Sequence, residues 1–186
     1  VPRDPAELPP PSWVGRILFR QIVALYARKD RGPERGAASR SRLALFRAAL
    51  GFARGTGRVP PVNAMISGIS FEQIEQPAGP LPDDFELTLE RYFLTKVHSL
   101  QFAGPTNFNQ TFWNGLESLA LSYPIALWLA RSFSQMPRAD ALVRGLRTAD
   151  DSFGLQPLLG SGRQKFGQRI LSIRDEIPRL VAWYSR

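Results

Sequence analysis

The chain has 186 residues, 44% of them hydrophobic, which is enough to bury a core and excludes disorder throughout. It holds no cysteine, which excludes a disulfide framework or a thiolate-held metal within the chain and suits a reducing cytoplasm. The net charge of +8 is uneven: residues 16–58 carry ten Arg and one Lys against Asp30 and Glu34, whereas residues 59–118 are acidic. The front of the chain therefore either docks on its own acidic middle or meets an external polyanion.

Residues 1–11 read VPRDPAELPPP, an extended proline-rich linker without the apolar stretch of a secretory signal. The chain opens on Val1, so the natural start is expected upstream. Ser12 is placed to cap a first helix that carries Trp13, Ile17, Phe19, Ile22, Val23 and Tyr26 at helical spacing and stops near Asp30. A second helix is predicted over 39–54, with Leu43, Phe46, Leu50 and Ala53 as its apolar stripe. Together residues 12–58 form a basic helical segment.

Residues 59–81 are a Gly/Pro-rich connector, and its ISFEQI piece suits a strand or a short irregular turn. A mobile flap over a site is the alternative reading of this stretch. The helical core then covers 82–186, and residues 12–186 read as one domain. Asp83, Asp84 and Glu86 crowd the first turn of a helix whose buried face is Phe85, Leu89, Tyr92, Phe93, Val97 and Leu100. Gly104-Pro105 breaks it, and Thr106 or Asn109 is placed to cap the next helix, which Pro124 should kink or divide. The apolar run 118–130 rises only about 20 Å as a helix, too short to cross a membrane, and reads as a buried core helix. Further helices are predicted over 139–153 and from about 162 to the end, split before Asp175 or Pro178. The fold class is thus all-α, a compact bundle of about six or seven helices.

Catalytic signatures are sparse. His98 is the lone histidine and is placed on or beside the packed face of its helix. Asp150-Asp151 lack the second acidic motif that a magnesium-diphosphate site needs, and Asp83, Glu86 and Glu90 lack the Glu-x-x-His partner of a di-iron site. The run Gly160-Ser161-Gly162-Arg163-Gln164-Lys165 reads as a helix cap and, alternatively, as an anion-holding turn without phosphate-loop spacing. For polyanion or nucleic-acid binding, Arg16, Arg20, Arg28, Arg31, Arg35, Arg40, Arg42 and Arg47 supply the charge. Trp13 and Tyr26 would offer stacking rings, although both also belong to the apolar stripe.

The stretches LERYFLTKVHSLQFAGPTNFNQTFWNGLESLALSYPIALWLAR (89–131), DDSFGLQPLLGSGRQKF (150–166) and the closing LVAWYSR carry a resemblance, as does LYARKDRGPERGAASRSRL (25–43). They resemble the C-terminal helical part of bacterial YkgJ-type cysteine-cluster proteins, the group that includes flagellin lysine-N-methylases. The resemblance implies a parent whose cysteine-rich N-terminal part chelates zinc, iron or an iron–sulfur cluster and, in some members, a methyl transfer to a protein lysine. This chain lacks those cysteines, so the metal ligands find no positions here, and the chain is left as a scaffold, docking surface or substrate-facing part, inactive alone. The partners implied are the cysteine-rich part of the same parent chain and a protein substrate, with no membrane. Polar residues around the Gly104-Pro105 break, His98, Gln101, Asn107 and Glu117, are the expected contributors to a completed site.

Overall fold

The computed structural model describes residues 7–29, 33–66 and 68–186, with the side chains of Ser39 and Arg40 left aside. The expectations that rest on residues 1–6, Asp30, Arg31 and the Arg40 side chain lie outside the described residues. Among the described residues the chain is all-α, with eight α-helices and no strand. These are α1 (Trp13–Ala27), α2 (Arg42–Arg54), α3 (Phe71–Ile74), α4 (Asp83–His98), α5 (Phe112–Ser132), α6 (Arg138–Ser152), α7 (Gly162–Ile173) and α8 (Glu176–Tyr184). No helix among them is long and apolar enough to cross a membrane.

α5 is the axis. It touches α1, α3, α6, α7 and α8, and Trp128, Ile125 and Leu129 are fully buried at its centre. Its closest neighbour is α6, where a Cβ at Gly145 would overlap the Ala126 carbonyl and Ala130. Only glycine lets these backbones approach so closely. The helix runs through Pro124 undivided. The core continues into every other helix, from Phe19, Ile22 and Val23 of α1 to Leu180 and Tyr184 of α8.

Caps follow local chemistry. Ser12, Ser41, Ser70, Thr111 and Ser161 each accept a backbone N–H of the first turn they precede. Thr111 thus replaces Thr106 or Asn109 as the cap of α5: Thr106 donates to Ala103 instead, and Asn109 is in the left-handed region. The last two helices part at Asp175, whose φ of 53° ends α7, while Pro178 sits harmlessly in the first turn of α8.

The Gly/Pro-rich connector is fastened down. Val59, Val62, Ile66, Ile69, Phe71 and Ile74 are buried, and ISFEQI forms the single turn of α3, closed by a reciprocal Ser70–Gln73 capping box. Backbone bonds Lys29 N–Val62 O and Ala38 N–Pro61 O, at 3.1 and 3.0 Å, bind this connector to the front segment.

Basic and acidic segments also meet. Arg20, buried, forms two hydrogen bonds to Glu75 at 2.5 and 2.6 Å and lies over the Phe71 ring. Two further pairs tie the front to α6 rather than to the acidic middle: Lys29 with Asp151 at 3.7 Å, and Arg144 with Glu34, where the front supplies the carboxylate. Arg131 closes the far end of the bundle. Its guanidinium donates to the carbonyls of Ile74, Gln76, Tyr184 and Arg186 and so satisfies acceptors at the ends of both α3 and α8.

Three expected apolar faces are corrected. Trp13 is 70% exposed, whereas Tyr26 is buried as expected of a core residue. On α4 only Phe85 and Leu89 are fully buried; Val97 and Leu100 are exposed, since α4 packs at the periphery against α6. On α2 the buried residues are Ala48 and Phe52, and the predicted stripe points outward: Leu43 is 59%, Phe46 60% and Leu50 42% exposed. At 100° per residue, that stripe lies roughly 170° round the helix from the buried side.

Candidate functional site

The turn between α4 and α5 is the most strained backbone in the described chain. Leu100, Phe108 and Asn109 all have φ between 52° and 55°, and Gly104 has φ 64°. Each non-glycine residue there costs on the order of 1 kcal/mol or more, and such strain persists only where surrounding contacts enforce it. Here the bond Gly104 N–Gln110 O at 2.9 Å, the bond from Asn107 Nδ2 to the Phe102 carbonyl at 2.9 Å, and burial of Phe102, Asn107 and Gln110 do so. Gly115 lets the first turn of α5 press on this loop, since a Cβ there would meet the Phe102 carbonyl.

Two polar spaces flank the turn and share Gln110 and Gln168 as a common wall. The inner one is small and lined by Tyr26, Asn107, Ser118 and Gln164 among apolar side chains. Burial pushes the Tyr26 phenol well above its ordinary range, and a hydrogen bond with Ser118 pulls back only in part. The outer space is a groove of about 330 Å³ lined by Asn109, Thr111, Asn114, Glu117, Lys165, Phe166 and Arg169. Glu117, half-buried, accepts a 2.5 Å hydrogen bond from Ser172. Lys165 donates to the Phe108 carbonyl at 3.1 Å, and Gln168 to the Asn114 carbonyl at 2.6 Å. One carboxylate, several amides and two cations suit the holding of an extended polar chain. With no imidazole in the groove, the Ser172–Glu117 pair is a positioning contact rather than an activated nucleophile.

Of the four residues expected to meet here, Asn107 and Glu117 line these adjoining spaces, and His98 and Gln101 line neither. α4 ends at His98, which is exposed rather than on the packed face, and the chain then reverses at Leu100. Gln101 is exposed and accepts from Lys96 Nζ at 3.0 Å. Sequence reasoning missed Tyr26, Ser118, Gln168 and Ser172. The signal for Ser118 was a polar residue on the inward face of the otherwise apolar α5.

Other charged clusters are satisfied within the fold. Asp150 binds Lys96 at 2.7 Å and accepts from the Tyr92 hydroxyl at 3.0 Å; burial and this carboxylate both push the Tyr92 phenol upward. Asp83, Glu86 and Glu90 are exposed, and Ser161 of the 160–165 run caps α7. Among the described residues no group of three His, Asp or Glu is placed to hold a metal ion. The chain matches no family model, no curated protein and no solved structure.

Proposed function

We propose that the chain is the helical scaffold and substrate-facing part of a cysteine-cluster metal or iron–sulfur protein, inactive by itself and working with a cysteine-rich N-terminal part of the same parent. The observation that carries this reading is α2, which is apolar on both sides but covered on one. Its outer face carries Leu43, Phe46 and Leu50 among Arg42, Arg47 and Arg54, and an apolar stripe left exposed on a helix marks a surface for a partner. Leu43, Phe46 and Leu50 would be the surface against which the cysteine-rich part packs. Zinc, iron or a cluster belongs to that part, and the present chain contributes shape and substrate contacts. For a parent that modifies protein lysine, Glu117 would attract the ammonium group, and the amides of Asn109 and Asn114 would hold the flanking peptide.

The test begins with the coding DNA upstream of Val1. Closely spaced, in-frame cysteines lead to the joined product, whose metal content and α2 amide protection are then measured. The pair Leu43→Asp, Phe46→Asp should reduce both, and Glu117→Gln should slow lysine modification roughly tenfold, equivalent to about 1.4 kcal/mol, at unchanged metal content. A start codon directly before Val1 ends the reading.

The competing proposal is a polyanion-binding module, which the exposed Arg42, Arg47, Arg54 and Arg58 favour. Nucleic-acid affinity that falls steeply with salt, with a log–log slope of about −0.9 per phosphate neutralised, would support it. The internal pairing of Arg20, Lys29 and Glu34 weighs toward the scaffold.

A further inference from the structure

A third cavity, of about 390 Å³, lies between α1, α2 and α7, on the opposite side of α2 from the exposed stripe. It falls within the range of small-molecule sites, roughly 300–1,000 Å³. Its walls are mostly apolar, built from Leu18, Ile22 and Leu25 of α1, Leu45 and Phe52 of α2, and Ile170 of α7. The polar side chains in the lining are Gln21, Arg28, Ser161, Arg163 and Gln164. Of these, Gln21 donates to the Ala49 carbonyl at 2.7 Å, and Ser161 caps α7.

Charge selects the occupant. α1, α2 and α7 contain Arg and Lys but not one Asp or Glu along their whole lengths. Arg20, the buried member of this set, is neutralised by Glu75, but Arg163 stands exposed beside the cavity. A cationic ligand would find no carboxylate on these walls, and a neutral apolar one would leave the guanidinium at the rim unused. An apolar slot with a cationic rim matches an aliphatic chain that ends in an anion.

We propose that this cavity binds a single-chain anionic amphiphile, a free long-chain carboxylic acid, with its chain between α1, α2 and α7 and its carboxylate at Arg163. The site is independent of the scaffold reading, because the cavity and the Leu43–Phe46–Leu50 stripe lie on different sides of α2.

Dodecanoate titrated calorimetrically into the whole chain, below its micelle concentration, tests the proposal. One saturable site is expected, with dodecanol and the exposed substitution Arg163→Glu each weakening binding by about tenfold or more. Gly167→Leu places a side chain beside Leu18, where a Cβ would make ordinary contact at 3.7 Å, and should plug the cavity while helicity is retained. Phe46→Ser should leave dodecanoate binding unchanged, which separates failure here from failure of the docking surface. The proposal is overturned by the absence of a saturable site, by equal affinity for dodecanol, by unchanged binding in the folded Gly167→Leu variant, or by binding only to anionic phospholipid vesicles.

Discussion

α5 and α2 are both rich in apolar residues, and the fold treats them in opposite ways. α5 is enclosed by α1, α3, α6, α7 and α8, with glycines at 115 and 145 admitting the turn after α4 and the backbone of α6. α2 is held on one side, where Phe52 packs edge-on to Phe71 at 5.4 Å and against Trp128 at 6.0 Å. Its other side carries Leu43, Phe46 and Leu50 into solvent. Apolar periodicity reveals that a helix has a face to bury. Where it has two, partners distant in sequence decide which one goes inside.

The contrast is sharpest at Trp128. Trp128→Ala, at the centre of the enclosed side, should cost about 3–5 kcal/mol, read as a lower midpoint in urea at unchanged slope. A loss below 1 kcal/mol would mean that α5 is not the axis of the fold.

Arg131→Met should cost about 2–3 kcal/mol, because it leaves the carbonyls at the ends of α3 and α8 without their shared donor. Arg131→Lys should recover less than half of that, as an ammonium lacks the planar fork that reaches several acceptors at once. Thermal unfolding of the three proteins side by side checks both statements. Full recovery by lysine would reduce the clamp to a simple charge.

Alkaline pH probes the enclosed side through its tyrosines. Burial raises the Tyr26 and Tyr184 phenols above the ordinary value near 10. The unfolded chain therefore loses these protons first, so stability is intact below about pH 10 and falls as pH rises beyond it. The decline should be about 1.4 kcal/mol per pH unit for each phenol. Tyrosinate absorbance should rise together with loss of helicity; a rise well before unfolding would show that water reaches these rings.

The smallest effect is expected on the uncovered side. Phe46→Ser should change the stability of the chain alone by no more than about 0.5 kcal/mol. A cost like that of Trp128→Ala would show that the outer stripe is already buried in solution, for example between two copies of the chain.

Much of the helical order was legible in the residues themselves. Ser12 and Ser161 are short side chains that reach a backbone N–H only two or three residues on, so their capping role needs nothing from elsewhere. The same holds for Gly55, which ends α2 in the left-handed region, and for the run of apolar residues that makes α5 a core helix, whereas α4 stops at His98, short of the Gly104-Pro105 break expected to end it. The site was less legible. Asn107 and Glu117 were placed near one turn, but His98 and Gln101 were turned away by a reversal at Leu100, a residue with no sequence preference for positive φ. Tyr26 joins Ser118 only because α1 crosses α5, a contact spanning about half the chain. What the sequence alone determined was that the helices would be many and where a local cap such as Ser12 or Ser161 begins one. Which face of α2 is covered, and which polar groups share a groove, was decided by packing between distant segments, because side chains that meet through space leave no periodic trace along the chain.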